Sequence, residues 1–446
     1  MNMDIDILTK ELQAQLQQLT QFNATPGNGV TRFPFTNEAK AATEYLRSLM
    51  EEAGLVVRLD NSGALIGRLE GQVPETIMIG SHLDSVKNGG AYDGIAGVVC
   101  AIAVAKELKR KNLPLYYSLE VIATNDEEGA RFNTGLFTGK VLLGQVSVED
   151  IKQQVDPDGI TIYEAMKAYG LEPEAIQKHI RRDIKAFLEI HIEQGPVLEH
   201  AQKSLGIVEV IVGIHRCKVT IFGRADHAGT MPMHMRRDAM TLAAKAIAPI
   251  HERALSYPNA VTTVGFMTLE PNIMNIVPEK VTFGVDIRGI SAESIEGMYQ
   301  GLRKDLQRLS QELDIAYKVE DLMYAAPVAM NTQLKQLLEQ GCQNHNYSYM
   351  HLPSGAGHDA QIFGKELPAA MLFVPSVGGR SHCPQEKSDE ADLAKAVQVM
   401  YDTVEKLVRS KADPFYSEEN LEHLKRAIKQ IEAGRTQVHE LIEPDD

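Results

Sequence analysis

Apolar residues recur every three or four positions through TNEAKAATEYLRSLMEEAGL (36–55), and Gly54 stands where a helix of that period would stop. An amphipathic helix also opens the chain. Beyond Gly54 the period shortens. VVRL, ALIGRLEG, TIMIGSH and YYSLEVIAT read as short apolar or alternating strands, and helical AGVVCAIAVAKELKRK lies between the last two. This alternation continues to KAFLEIHIEQG (185–195) and predicts an α/β layer with a largely buried sheet. From Gly213 the order becomes strand KVTIFGRA, helix RRDAMTLAAKAIAPIHERAL, strands VTTVGFMTLE and KVTFGVDIRG, and helix SAESIEGMYQGLRKDLQRLSQEL. Two such βαβ-type passages predict a compact second domain inserted into the first. Helical TQLKQLLEQGCQNH, strand-like PAAMLFVPS and helix EADLAKAVQVMYDTVEKLVRS then resume the α/β style.

The expected division is therefore a discontinuous α/β domain at 1–212 and 330–412, a smaller α+β insertion at 213–329, and an appendage at 413–446. With 446 residues the chain is long enough for two or three cores. A formal net charge of −15 would repel a phosphate backbone, which argues against nucleic acid as a partner. No run approaches the roughly 18 apolar residues of a membrane helix. The N-terminal stretch is acidic and glutamine-rich where a signal peptide would be basic and then apolar, so the expectation is no membrane partner and a cytoplasmic location. Four scattered cysteines without a CxxC pair argue against a disulfide framework or a thiolate metal site.

The chemistry gathers at strand ends, where sites in such sheets form. In SHLDSVKNGGAYDG, His82 and Asp84 lie two apart on one side of a strand, and a flexible bend can return Asp93 toward them. Imidazole and carboxylate suit a borderline divalent metal. Taken alone, the two aspartates also read as turn residues and the histidine as an ordinary core or surface residue. TNDEEGARF sets three acids at the end of an apolar strand, where they repel one another unless a cation or protons compensate. A solvated loop or a helix N-terminus would carry the same acids. His191 follows in LEIHIEQGP and His382 in GGRSHCPQE. Four strand ends with metal-type ligands in one layer are stronger together than any one of them.

The stretches GSHLDSVKNGGAYDGIAG, NDEEGARF, EIHIEQGP, ADHAGTMPM, PNIMNIVP, DIRG, PSGAGHDA and FVPSVGGRSHCPQE resemble, in order from about residue 5 to 412, the hydantoinase/carbamoylase branch of the M20 metallopeptidase-like amidohydrolases. That resemblance implies a dimetal catalytic domain with an inserted lid and dimerisation domain, a homodimer, and hydrolysis of the ureido C–N bond of a small carboxylic acid. It implies two divalent ions per subunit, zinc ahead of manganese, cobalt or nickel. The ligands would be His82, Asp93, Glu128, His191 and His382, with Asp93 bridging. Asp84 would orient His82, Glu127 would be the general base, and His227 would stabilise the oxyanion in a partner subunit's site. Gln194, Asn275, Arg288, Gly357 and His358 would hold substrate. Arg216 sits where allantoate amidohydrolases carry a pocket arginine, which places allantoate just ahead of an N-carbamoyl-L-amino acid. Met231 departs from the threonine or alanine usual in HAGT-type motifs.

Two competing readings accompany this one. An M20-type dipeptidase or aminoacylase would share the metal centre, but HIEQGP and GAGHDA belong to the ureido branch. A non-catalytic scaffold would work through the tail, DPFYSEENLEHLKRAIKQIEAGRTQVHELIE, which faintly resembles the toxin-binding C-terminus of RelB/DinJ-type antitoxins and would then dock a protein partner.

Overall fold

The computed structural model describes residues 3–410, so the appendage at 413–446 and its antitoxin-like reading lie outside the described residues. Thirteen strands form two sheets among them. They are β1 (Val56–Leu59), β2 (Leu65–Leu69), β3 (Val73–His82), β4 (Tyr117–Thr124), β5 (Ile184–Ile192), β6 (Leu205–Ile211), β7 (Gly213–Phe222), β8 (Val261–Glu270), β9 (Lys280–Gly289), β10 (Ala316–Ala325), β11 (Val328–Ala329), β12 (Tyr349–Ser354) and β13 (Ala369–Val374).

The larger sheet runs β1-β2-β4-β3-β5-β13-β6-β11, with β12 also on β6. Its middle, β4-β3-β5-β13, is parallel. These strands are near-continuous apolar runs because both faces are covered. Ile77, Ile79, Leu188 and Ile190 pack with the helices Ile5–Leu19, Ile95–Lys111 and Glu390–Arg409. Met78 and Phe187 point the other way, toward Ala360 and Phe363 of the helix Asp359–Glu366. Each such side chain, fully buried, contributes about 1.5–3 kcal/mol. The register sets the ends level: His82 pairs with Thr124, and His191 with Phe373. Parallel pairing thus delivers the polar residues that follow these apolar runs to one edge of the sheet.

The smaller sheet is ordered β10-β7-β9-β8, every neighbouring pair antiparallel. β7 reaches β8 through the helix Ala239–Leu255, and β9 reaches β10 through Ala292–Leu313, each crossover spanning one intervening strand. The βαβ-type passages are therefore of the split kind. Asp238 caps the first helix by accepting from the Met240 and Thr241 N–H groups, and Ser291 caps the second, each cap worth about 1 kcal/mol. Leu242, Ala246, Leu302 and Leu306 close these helices onto Val219, Phe283 and Val285. β10 ends at Ala325, and β11 already pairs with β6 of the larger sheet. No helix among the described residues is long and apolar enough to cross a membrane.

Candidate metal centre

The bend after β3 brings Asp93 back over His82. It turns through Gly94, whose φ of +66° caps the helix Ile95–Lys111, and a Cβ on Gly94 would lie 2.3 Å from the His82 ring. Only a residue without a side chain lets the chain pass the imidazole this closely. Asp93 Oδ1 then stands 3.5 Å from His82 Nε2 and 3.2 Å from His191 Nε2, while its Oδ2 is 3.2 Å from His382 Nε2. His382 Nε2 is in turn 3.4 Å from Glu128 Oε2. Two three-ligand groups, His82/Asp93/His191 and Asp93/Glu128/His382, share Asp93, and a third, Glu189/His191/His358, adjoins them through His191.

The far sides of the rings decide what faces inward. His82 Nδ1 is 3.0 Å from the carbonyl of Asp84, and His191 Nδ1 is 2.8 Å from that of Ile192. Each Nδ1 therefore carries the proton and donates it, leaving a lone pair on Nε2. Those two Nε2 atoms stand 3.3 Å apart beside a carboxylate oxygen. Such an arrangement asks for a cation. Glu128 Oε1, buried and without a hydrogen-bond partner among the described residues, adds to the demand. Four carboxylates, those of Asp84, Asp93, Glu127 and Glu128, and three imidazoles fit a pair of divalent ions in both donor chemistry and charge.

Without such ions, protons take up the strain. The Asp93 hydrogen bond lifts His382 to about 9 against the cost of its burial. Burial, with Asp93 nearby, pushes Glu128 up to about 7. Burial works to raise Asp93, but the imidazoles of His191, His382 and His82 hold it well below the carboxylate range. Glu127 is pushed well above its ordinary value by burial, with Glu128, Asp359 and Asp84 adding like charge. Its Oε2 is 4.0 Å from His82 Nε2, near the centre but in none of these ligand groups.

Asp84 differs from the expectation of a carboxylate directly behind His82. Its carboxylate lies 3.9 Å from His82 Nδ1 and instead accepts the N–H groups of Glu127 and Glu128 at 3.1 and 3.2 Å. It ties the acid-rich turn after β4 to the loop after β3. Gln194 donates to Asp93 Oδ2 at 2.8 Å. His358 is buried, its Nε2 2.9 Å from Ser354 Oγ and its ring edge-on to His191. Burial and the neighbouring His191 hold it well below the usual imidazole range.

Sequence reasoning missed Glu386. One of its oxygens accepts from Tyr92 N and Asp93 N, both at 3.0 Å; the other accepts from Ser381 Oγ at 2.8 Å and His382 N at 3.3 Å. It therefore fixes Asp93 and His382 to one another. The signal was present in SHCPQE, four residues beyond His382.

A cavity of about 410 Å³ opens on the centre, and Arg216, Arg288 and Gly357 are among its walls. Asp286, also unanticipated, accepts from Arg216 Nε at 2.7 Å and Arg288 Nε at 2.9 Å, while Arg288 Nη1 donates to the Gly355 carbonyl at 2.7 Å. His227 and Asn275 do not join this wall; both are exposed. Their segments meet through Ala228 N and the Asn275 carbonyl at 3.0 Å. His227 Nδ1 accepts from Gly229 N at 3.0 Å, which leaves the Nε2–H as an outward donor.

The chain's residues 78–406 match the model of the peptidase family M20/M25/M40. It is 38% identical over 404 residues to the N-carbamoyl-L-amino acid amidohydrolase of Geobacillus stearothermophilus, covering 90% of this chain and 98% of that one. To the allantoate amidohydrolase of Escherichia coli (strain K12) it is 36% identical over 392 residues, 87% of this chain and 95% of the other. A solved hydantoinase/carbamoylase family amidase from Burkholderia multivorans superposes with a TM-score of 0.84 at 30% identity, covering 90% of this chain and 98% of that one.

Proposed function

Because the chain belongs to the peptidase family M20/M25/M40, we propose that it is a divalent-metal-dependent amidohydrolase cleaving the ureido C–N bond of a small carboxylic acid, with release of ammonia and carbon dioxide. The observation that carries this reading is the position of Asp93, one oxygen toward His82 and His191 and the other toward His382, with Glu127 uncommitted beside them. His82, Asp93 and His191 would hold one ion, and Asp93, Glu128 and His382 the other, zinc being the first candidate. A metal pair supplies Lewis-acid charge stabilisation and acidifies water toward neutrality.

The chain's own residues do the rest. Glu127 takes the proton of the attacking water and returns it to the leaving nitrogen, a role that its burial-raised proton affinity favours. Arg288, with Arg216 at its side, holds the substrate carboxylate through a planar guanidinium. Gln194 and His358 line the reacting end, with Gly357 leaving room for the substrate. His227 and Asn275, exposed and absent from the cavity of their own chain, serve the cavity of a second copy, His227 donating from Nε2 to the developing oxyanion. In this reading 213–329 is the lid and dimerisation unit of a homodimer, set into the catalytic domain at 1–212 and 330–412, and the enzyme works in the cytoplasm. Both allantoate and N-carbamoyl-L-amino acids fit these groups.

The test is ammonia release from allantoate, N-carbamoyl-L-amino acids, N-carbamoyl-β-alanine and a dipeptide, alongside metal analysis. About two divalent ions per chain, with turnover of the ureido acids and not the dipeptide, supports the reading. A chain that binds no divalent metal, or that hydrolyses only the dipeptide, overturns it.

A further inference from the structure

Two helices supply part of the cavity wall away from the ligands. Gly139 of the helix Phe137–Leu142 packs on Asp359 and Ile362 of the helix Asp359–Glu366; a Cβ there would already touch both at 3.4–3.5 Å. The residues beside this contact, Lys140 and Gln361, both line the cavity. Gln361 is only 4% exposed, and its Nε2 has no hydrogen-bond partner among the described residues. A buried amide with no N–H donor used is costly unless something else uses it. Lys140 donates to the carbonyls of Thr134 and Gly135 at 3.2 and 2.8 Å, leaving one of its three donors. Asp126 accepts from Thr134 Oγ1 with one oxygen and, among the described residues, takes no hydrogen bond with the other, so its charge acts on Lys140 without using that donor.

An α-substituted ureido acid has three arms. In the proposed function the carbamoyl group goes to the metal centre and the carboxylate to Arg288. The third arm then meets the remaining wall, where Leu136 offers an apolar surface and Lys140 and Gln361 offer uncommitted donors and a positive charge. We propose that Lys140 and Gln361 form a side-arm subsite that receives a carboxylate or carbonyl oxygen carried by the substrate beyond its carbamoyl group and α-carboxylate. The preferred substrates are thus ureido acids with an acceptor-bearing side arm. This rests on the reading of the cavity as a ureido-hydrolysing site.

The experiment compares kcat/KM for N-carbamoyl-L-aspartate and N-carbamoyl-L-leucine, which are close in side-chain size, in the metal-loaded wild type and in Gln361→Leu and Lys140→Met. The wild type prefers the aspartate derivative, and either variant lowers that ratio about tenfold or more, through KM. A wild type that prefers the leucine derivative overturns the subsite. So does a ratio unchanged in a folded variant, whether or not both rates fall together. If Gln361→Leu does not fold, the Lys140→Met ratio and the wild-type preference decide. Absence of turnover on every ureido acid is a different result, and refutes the proposed function itself.

Discussion

Asp84 accepts the backbone N–H of Glu127 at 3.1 Å, so a carboxylate from the loop after β3 sets the height of the proposed base on the turn after β4. Its other oxygen does the same for Glu128. Asp84→Ala removes both bonds at once and leaves two buried donors unmet. Metal affinity and kcat should each fall by about 10–100-fold, the usual effect of losing a group that supports metal ligands. Metal content after dialysis and initial rates check this; unchanged values would deny Asp84 the supporting role.

Glu127→Gln keeps the shape and removes the proton acceptor. The expected loss in kcat is of order 10²–10⁴, the range for general acid–base groups, while both ions stay bound. Loss of metal together with activity would instead make Glu127 a ligand.

The closeness of Gly94 to His82 gives a test that touches no polar group. Gly94→Ala places a methyl within 2.3 Å of the imidazole and strains a positive φ, so the bend must move and Asp93 with it. Metal stoichiometry should drop while far-ultraviolet circular dichroism keeps its native form. Full metal occupancy in this variant would show that the bend has slack.

The pH dependence of the metal-free protein follows from His382 and Glu128. His382, raised to about 9 chiefly by Asp93, contributes stability that is complete below the ordinary imidazole value and lost as pH rises through about 9. Glu128, raised to about 7 by burial, binds its proton more tightly folded than unfolded, so stability also falls between the ordinary carboxylate range and about 7. Asp93, held low, titrates below this window. Both trends run one way: with chelator, Tm should fall from about pH 5.5 to 8.5, and the Tm increment given by added metal should grow over the same span. Calorimetry with and without zinc or manganese measures it; an increment that shrinks with rising pH contradicts the assignment.

Asp286 aligns Arg216 and Arg288 and offsets one of their two charges. Asp286→Ala frees both guanidiniums to repel each other, and KM for the ureido acid should rise about tenfold or more, about 1.4 kcal/mol of lost binding. The signature is a larger effect on KM than on kcat. An equal loss in both would assign Asp286 a part in the chemical step.

How much of this was legible depends on where the information lies along the chain. β3, β5 and β13 announce themselves, because buried parallel strands are apolar runs; His82 and His191 stand out as polar residues at the ends of two of them, and His382 was read from the glycine-rich loop that follows the third. β10 was not read, since its mostly half-exposed and exposed side chains carry no buried face. β12, six residues long and without a regular apolar alternation, is defined mainly by its pairing with β6. Asp286 shows the same limit at the site. It stands directly opposite Arg216 in the β7–β9 register, and no single strand states what its neighbour will set across from it. Gln361 went unread because what distinguishes it is an unused donor, a property of its surroundings.

Glu386 has a consequence for how the molecule comes into being. It secures the backbone of a residue made 293 positions earlier. During synthesis, His82, Asp93 and His191 are all made well before the anchor of the Asp93 loop and His382, which lie near the end of the described residues. The two proposed ion positions share Asp93 yet have different birthdays: the residues of one can be outlined by a partial chain, and those of the other are complete only once synthesis has passed residue 382.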